Sequence, residues 1–330
     1  MCTDVKPTVK LQTLAGGEQL YRLRGATMGT GFEATFVAGQ TTNVDRIAEN
    51  LQAAVDAVDR DMSNWKPDSA LSRFNRAPPG EWFPVPHALA FVVDEGLKLS
   101  RLSGGAFDMT LGELVEFWGF GPADTEGGRD PRDGSTALAN RNADRVIARL
   151  DPPALRKSAE FALDLSGIAK GFGVDQLAEV LEHAGIHNYL VSIDGEVRVK
   201  GRKGESGGDW LVAVEAPVAG SRTGWDILKP KDCALATSGD YRRIREYQGR
   251  VYSHTMEGRS GCPVDNGVGS VTVAHELCLM ADAWATALLV LGSHAGVELA
   301  RNEGISALFL VRTGREIREI MTGNFAAVIG

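Results

Sequence analysis

A carboxylate and a hydroxyl lie one turn apart in a segment that is otherwise apolar. Its sequence is ELCLMADAWATALLVLG, which predicts a buried helix from Leu277 to Leu291. Asp282 lies inside this helix, and Thr286 follows one turn later on the same face. Because an unpaired buried carboxylate is costly, Asp282 must be neutralised, paired or bound to a metal ion. The two oxygens could bind a hard cation such as Mg²⁺; the alternatives are an arginine partner and a cap at an exposed helix start.

A second group of candidate residues leads to Lys170. The segment FALDL indicates a buried strand that ends near Asp164, and a short turn at Ser166 and Gly167 follows it. A helix then begins with Lys170 in its first turn, where free N–H groups suit a phosphate. A lysine opposes the helix dipole there, so an anionic partner is expected. The spacing fits neither a Walker loop nor a dinucleotide fingerprint, and a solvated lysine at a glycine-rich helix start is the alternative.

Three further positions combine aromatic or imidazole rings with polar neighbours. His254 ends a strand predicted from Arg250 to Met256 and enters a polar loop, where a general base or a phosphate contact could lie. Trp65 and Phe107 stand near turns, the latter followed by Asp108. Their rings could stack on a planar ligand or simply fill the core, and a lone histidine is more often structural.

These side chains must be positioned by a mixture of helices and hairpins. YRLRGATMGTGFEATFVA predicts two strands around a glycine-rich turn. Apolar periodicity and glycine stops predict helices from Asn43 to Met62, from Pro86 to Leu102, and after Ser166 as far as Gly185. Strands and tight turns are predicted at Asp194-Gly195, Trp210–Glu215, Ser270–Val273 and Thr313-Gly314. This irregular order favours an α+β fold of mixed β-sheets with packed helices over a regular βαβ array.

Composition and charge narrow the class of protein. The 330 residues are 43% hydrophobic and 24% charged, which is typical of a globular chain. A net charge of −8 argues against a nucleic-acid partner, because phosphate-backbone binding requires a positive surface. The four cysteines show no zinc-site spacing. The stretch GFGPADTEGGRDPRDGST predicts a polar loop.

The beginning of the chain carries no recognisable export signal. No apolar run reaches the length of a membrane-spanning helix, and no charged region precedes an apolar one. Cys2 directly follows the first methionine. It could mark the point at which a lipoprotein signal was removed, or it could have no such meaning.

Taken in order, these segments resemble the ApbE family of FAD:protein FMN transferases. The resemblance runs from about Gly25 to Gly330, which divides the chain into a lead over 1–24 and one catalytic unit over 25–330. It rests on the MGT turn, SNWKPDSALSRFN, GGAFDMTLGELVEFWGFG, LDLSGIAKGFGVDQL, YLVSIDGEVRVKG, ATSGDYRR, the Ser253-His254 pair and ADAWATALLVLG. The implied fold is the α+β unit of this family, which is related to the T-fold.

The resemblance also implies a site. Mg²⁺ would be bound by the backbone carbonyls of Gly167 and Ala285 and by the side chains of Asp282 and Thr286. Trp65 would cover a ring face, and Lys170 would face the pyrophosphate and act with His254 as a catalytic residue, with His254 as the base. Asp108 and Asp164 would accept hydrogen bonds from the nucleotide. The full set of implied flavin contacts is Met28, Trp65, Ala106, Phe107, Asp108, Asp164, Lys170 and Met256.

The implied reaction transfers the FMN half of FAD to a Ser or Thr hydroxyl of an acceptor flavoprotein and releases AMP. The alternatives are an FAD pyrophosphatase, which yields free FMN and AMP, and a flavin carrier without catalysis. By the same resemblance the acceptor would be a respiratory membrane-complex subunit with a Ser/Thr flavinylation loop. The protein would then work in the periplasm, as an inner-membrane lipoprotein if Cys2 is its anchor.

Two departures from the family pattern affect this site. Relatives commonly have H-x-x-D-P-x-T-G after the strand, whereas this chain has Glu257 and Gly258 in place of the Asp-Pro pair. The change predicts a more flexible loop. A glycine pair is replaced by Asp194-Gly195, which places a carboxylate near the expected nucleotide.

Overall fold

The computed structural model describes residues 7–14, 17–122, 143–204, 207–218, 220, 223–247, 249–314 and 316–329. Most of the polar loop predicted over 119–136 therefore lies outside the described residues. The strands are β1 Thr8–Thr13, β2 Gln19–Thr27, β3 Thr30–Ala38, β4 Phe83–Pro84, β5 Val146–Leu150, β6 Pro153–Lys157, β7 Tyr189–Ile193, β8 Glu196–Lys200, β9 Val212–Glu215, β10 Gly224–Leu228, β11 Ala234–Gly239, β12 Ile244–Tyr247, β13 Arg250–Ser253, β14 Met256–Glu257, β15 Cys262–Pro263, β16 Val268–His275, β17 Ser306–Thr313 and β18 Glu316–Thr322.

A nine-stranded sheet forms the frame, in the order β1-β2-β3-β7-β8-β11-β16-β17-β18. Every neighbouring pair in it is antiparallel. Four small sheets lie outside it, namely β4-β6-β5, β9-β10, β12-β13 and β14-β15. The expected α+β class with mixed sheets and helices is confirmed.

Helices pack on both faces of the large sheet. They are α1 Val44–Met62, α2 Ala70–Arg76, α3 His87–Leu102, α4 Gly112–Phe117, α5 Ala169–His183, α6 Cys278–Asn302 and α7 Ala326–Ile329. Helix α6 packs on β11 and β16, and α5 packs on β7, β8, α1 and α6. The predicted helices Asn43–Met62 and Pro86–Leu102 are confirmed, with Asn43 and Pro86 as the N-caps.

Helix α6 is the apolar helix that carries Asp282. Its length and hydropathy are sufficient to cross a membrane, but 67% of its most apolar 18-residue window is buried inside the protein. The prediction of a helix end at Leu291 is correct only for the first of two helical stretches. Gly292 breaks the helix with a φ of 78°, and a second helical stretch continues to Asn302. A sequence pattern cannot distinguish such a break from a helix end, because a left-handed glycine suits both.

Two predicted strands differ from the structure. FALDL alternates buried and half-buried residues but pairs with no neighbouring strand in the described residues. Its backbone bonds go instead to the side chain of Asn75, to the carbonyl of Met109 and to the N–H of Gly112. The strand predicted from Arg250 to Met256 is interrupted at 254–255, where the chain leaves β13 before it enters β14.

Hairpin turns agree with the sequence predictions. Asp194 and Gly314 adopt positive φ values of 57° and 65° between paired strands. The turn between β2 and β3 lies at Met28, whose φ is 46°. Strands β1 and β2 both begin before Gly25, so part of the segment predicted as a lead already belongs to the large sheet.

Candidate active site

The first turn of α5 lies against the first turns of α6, and Gly171 makes this approach possible. A Cβ atom at Gly171 would lie 2.3 Å from the carbonyl oxygen of Cys278 and 2.8 Å from the Cβ of Asp282. These distances are shorter than any van der Waals contact, so only glycine fits. The two helices that carry the predicted metal ligands therefore meet at backbone contact.

Asp282 is the buried carboxylate at this contact. Asp282 is 4% exposed, and its Oδ2 atom accepts a hydrogen bond from the N–H of Gly171 at 3.0 Å. Burial and the nearby Glu196 carboxylate raise the pKa of Asp282 to about 7, against the opposing charge of Lys170. The charged groups that act on it most strongly include no arginine. The arginine alternative raised by the sequence therefore finds no support.

Gly167 and Thr286 lie face to face across the same contact. A Cβ at Gly167 would lie 3.1 Å from Thr286 Oγ1 and 3.4 Å from the ring of Phe107. Thr286 Oγ1 also lies 3.0 Å from the hydroxyl of Ser238 in β11. Ala285 is fully buried in α6 beside Thr286. The structure thus brings Gly167, Thr286 and the ring of one implied flavin contact, Phe107, together.

The chemistry of this set of donors fits a magnesium ion. In the described ranges, no group of three or more His, Cys, Asp or Glu side chains could hold a metal ion. The implied set contains only one such side chain, because its other members are one hydroxyl and two backbone carbonyls. All four donors are hard oxygen atoms, the type of ligand that Mg²⁺ prefers. A buried carboxylate with a raised pKa is also one whose charged form a cation would stabilise.

Lys170 lies within a chain of alternating charges. Its Nζ is 2.5 Å from Oε1 of Glu196 and 3.8 Å from Oδ2 of Asp194. Burial favours its neutral form, but the charges of Glu196, Asp282 and Asp194 outweigh burial and raise the pKa of Lys170. Arg242 lies 3.6 Å from Asp194 on the other side. Asp194 therefore faces the two cations of this region, as well as shaping its turn.

Asp108 and Asp164 lie next to each other at the turn before α4. The N–H of Asp164 donates to the carbonyl of Met109 at 2.7 Å. The Asp164 carboxylate accepts a hydrogen bond from the N–H of Ser166, and Asp108 accepts two from Thr110. Both residues are half-buried.

His254 follows β13 and has an imidazole that stays neutral. Burial, helped by the positive charges of Arg243 and Lys170, lowers its pKa to about 4, although a hydrogen bond to the Arg243 backbone acts in the opposite direction. Its Nδ1 is buried without a hydrogen bond of normal geometry among the described residues. A neutral imidazole with a free nitrogen can accept a proton.

The loop after His254 is tied to the turn that carries Ala106. Arg259 donates from Nη2 to the carbonyl of Gly104 at 3.0 Å. The N–H of Gly261 donates to the carbonyl of Glu257 at 2.9 Å. A Cβ at Gly258 would lie 3.5 Å from Oδ2 of Asp108, so the loop also approaches that carboxylate. These contacts constrain a loop for which the sequence predicts flexibility.

The remaining implied flavin contacts are more widely placed. The Cε of Met28 would lie 2.8 Å from a Cβ at Gly173, one turn after the start of α5. Met256 is buried in a small cluster with Leu111 and Leu114. Trp65 is 61% exposed in the turn between α1 and α2.

Three site residues were not identified from the sequence. Glu196 is 2% exposed in β8 and contacts Lys170, Asp175 is buried in α5, and Ser238 contacts Thr286. Asp175 gave the same signal as Asp282, because it is an acidic residue in a helix with apolar neighbours. Glu196 and Ser238 gave no such signal, since charged and hydroxyl residues are common on strands.

Comparisons with known proteins place this arrangement in a family. The sequence model of the ApbE family matches residues 28–309. A FAD:protein FMN transferase of Vibrio cholerae is 36% identical, with 96% of this chain and 95% of the relative covered. A second relative with the same name, from Escherichia coli K12, is 32% identical, with 93% and 88% covered.

Solved structures agree. The flavin transferase ApbE from Vibrio cholerae has a TM-score of 0.85 at 33% identity, and the match covers 97% of this chain and all of that one (100%). The apo form of the Pseudomonas stutzeri flavinyl transferase ApbE has a TM-score of 0.85 at 34% identity, with 99% of both chains covered. The chain therefore belongs to the ApbE family, and it is an enzyme of the transferase class.

Proposed function

We propose that this protein transfers the FMN half of FAD to a Ser or Thr hydroxyl of an acceptor protein, with Mg²⁺ bound between α5 and α6. Relatives that are similar over nearly the whole chain carry the name FAD:protein FMN transferase. The observation that carries the magnesium part is Asp282, a buried carboxylate next to Gly171 whose strongest charged neighbours include no arginine. Such a group requires a cation, a proton or a charged partner. Lys170 acts on it, but the Lys170 ammonium is itself paired with Glu196 at 2.5 Å.

Gly167, Asp282, Ala285 and Thr286 would hold the ion. When bound, Mg²⁺ neutralises pyrophosphate oxygens and stabilises the charge that develops on the leaving group. Lys170 would bind a phosphate oxygen from the other side, because its ammonium group is held charged by Glu196. Asp108 and Asp164 would orient the nucleotide by accepting hydrogen bonds. Most of the catalysis then comes from positioning and electrostatics.

The transfer itself is a displacement at phosphorus. The acceptor hydroxyl oxygen forms a bond to the phosphorus on the FMN side, and the bond from that phosphorus to the bridging oxygen breaks. AMP leaves with the bonding electron pair. The hydroxyl proton goes to the neutral imidazole of His254, whose low pKa keeps it unprotonated at neutral pH. Water in place of the hydroxyl would give FMN and AMP.

The test combines the protein with FAD, Mg²⁺ and an acceptor domain that contains a Ser/Thr flavinylation loop. We expect in-gel flavin fluorescence on the acceptor and an equal amount of AMP. Asp282→Ala and His254→Ala should both lose the fluorescent band. Matched controls are Asp45→Ala and His294→Ala, which change exposed residues in helices and should keep it.

Each contrary result has a clear meaning. Free FMN and AMP without labelled acceptor would identify a pyrophosphatase. Intact FAD bound for hours in the presence of Mg²⁺ would identify a carrier. Unlabelled protein across several acceptors, with neither product released, would overturn the proposal.

We extend the proposal to the acceptor and the compartment. The family resemblance supports a respiratory membrane-complex subunit as the acceptor and the periplasm as the site of action. Isolation of flavinylated proteins from separated cell fractions of the native host tests this extension. Flavinylated proteins found only in the cytoplasm would overturn it.

A further inference from the structure

One side chain of α5 caps the beginning of α6. Asp175 is 5% exposed, its Oδ1 accepts the N–H of Cys278 at 3.0 Å, and its Oδ2 accepts the N–H of Leu279 at 2.9 Å. The first N–H groups of a helix have no partner inside the helix. Here the missing acceptor comes from the neighbouring helix, so the cap also joins the two helices.

Strand β8 holds Asp175 in place. Nη1 of Arg198 lies 2.6 Å from Oδ1 of Asp175. Arg198 follows Glu196 by two positions in β8, so both side chains leave the strand on the same face. Glu196 contacts Lys170 at 2.5 Å. The strand therefore contacts α5 at two points, one in its first turn and one at Asp175.

This network lies beside the predicted metal ligands on α6 and before α5. Gly167 lies just before α5, whereas Asp282 and Thr286 follow the capped residues of α6 by one and two turns. The helices are already in backbone contact at Gly171, where a Cβ would lie 2.3 Å from the carbonyl oxygen of Cys278. A small shift of α6 along α5 would therefore change the separation of Gly167 and Thr286.

We propose that Asp175, paired with Arg198, is a positioning residue that sets the spacing of the metal ligands by capping α6 from α5. The inference rests on the proposed function, because it assumes a cation between these helices. Asp175 is not one of the predicted metal ligands or nucleotide contacts. Residues that orient metal ligands from outside the coordination sphere typically change affinity by about 10–100-fold when they are replaced.

The test replaces Asp175 and Arg198 and measures cation binding directly. Asp175→Asn retains one acceptor oxygen and puts an NH₂ group in place of the other, where one of the two N–H groups already points, so half of the cap is lost. Arg198→Met removes the paired charge, and Arg198→Lys keeps it. Leu228→Ala is the matched control, since Leu228 is fully buried in a cluster with Leu308 on the sheet face away from α6.

The probe is Mn²⁺, which prefers the same oxygen ligands as Mg²⁺ and can be followed by its electron paramagnetic resonance signal. Thermal unfolding of each variant is measured in parallel. We expect Asp175→Asn and Arg198→Met to weaken Mn²⁺ binding by about 10-fold or more. Arg198→Lys should bind more tightly than Arg198→Met, and Leu228→Ala should lose stability but keep wild-type affinity.

The outcomes separate this inference from the proposed function. If the wild-type protein does not bind Mn²⁺, the magnesium part of the proposed function fails, and this inference fails with it. If the wild type binds Mn²⁺ and Asp175→Asn binds equally well, the inference alone is overturned and Asp175 is only structural. If Asp175→Asn does not fold, equal affinity of Arg198→Met and wild type overturns it instead.

Discussion

The cation side of the site rests on two helices of the core, whereas the histidine side rests on short hairpins outside the large sheet. Asp282 and Gly171 lie where α5 and α6 touch, and both are buried. His254 follows β13, in a two-stranded sheet where Val251 is 63% exposed. Metal ligands need accurate positions, which rigid elements provide. A surface that receives another protein needs to be accessible, and loops and hairpins provide that.

Replacement of Asp282 should have the largest effect on activity, because it removes the charge at the centre of the cation side. In Asp282→Asn we expect transfer to fall by about 10³-fold or more, since a metal ion supplies several kcal/mol of transition-state stabilisation. The metal-free variant should be at least as stable as the wild type, because it lacks a buried carboxylate next to Glu196. Enzyme assays and thermal unfolding with and without Mg²⁺ measure both quantities.

The variant should also lose the stabilisation that Mg²⁺ gives the wild-type protein. Asp45→Asn, at an exposed position in the first turn of α1, is the control. A variant at Asp282 that is still stabilised by Mg²⁺ would show that the cation binds elsewhere.

Gly171→Ala tests the contact between the helices. The new methyl group would lie 2.3 Å from the carbonyl oxygen of Cys278, and neither backbone can yield easily. Overpacking of this kind costs about 1–3 kcal/mol of stability. A shift of about 1 Å in the ligands would reduce activity by about 100-fold. Denaturant unfolding and the transfer assay measure the two effects.

Gly173→Ala is the comparison within the same helix. Its neighbours would be the ends of flexible side chains, Met28 Cε at 2.8 Å and Ile193 Cδ1 at 2.9 Å. These atoms can rotate away, so both losses should be smaller than in Gly171→Ala. Equal losses in the two variants would contradict the special role of the contact at Gly171.

What the sequence predicted and what it missed are separated by distance along the chain. Asp282 was found because a carboxylate breaks the apolar pattern of its helix, and that pattern is local. The hydrogen-bond partners of Asp175 are 103 and 104 positions away in the chain, and no local pattern in one sequence indicates contacts between such distant residues. The α+β class was predictable because each helix and hairpin has its own periodicity and turn residues.

The strand predicted at FALDL shows the limit most clearly. Its alternating burial is that of a strand, and the sequence was read correctly to that extent. A β-strand also needs a neighbouring strand as a hydrogen-bond partner. Here the side chain of Asn75 takes the place of that strand and makes two hydrogen bonds with the backbone of Leu163. An asparagine 88 positions away gives no sign of this role in the sequence.

The pH dependence of transfer sharpens the comparison on the histidine side. The folded protein favours the neutral form of His254, because the pKa of this residue is lowered to about 4. His254 should therefore remain active as a base at pH values well below 6.5, the ordinary pKa of histidine. At saturating Mg²⁺ we expect kcat/KM to stay flat from pH 8 to about pH 5 and to fall only near pH 4. The contribution of His254 to stability is likewise lost as the pH falls from 6.5 through 4.

Arg243→Gln provides the control for that profile. Arg243 is exposed, and its charge is one of the causes of the low pKa. Its removal should move the acidic limb to higher pH and leave the rate at pH 8 unchanged. A wild-type limb near pH 6.5 would show that the base is another group or that His254 is solvated during the reaction.

Trp65→Ala should have the smallest effect on the stability of the protein and a measurable effect on the binding of FAD. The ring is 61% exposed, so stability should change by less than about 0.5 kcal/mol. If the ring stacks on the flavin, its loss should raise KM for FAD by about 2–12-fold, because an aromatic pair contributes about 0.5–1.5 kcal/mol. Trp65→Phe should recover part of this affinity. Unchanged KM in Trp65→Ala would show that the site binds the flavin without this ring.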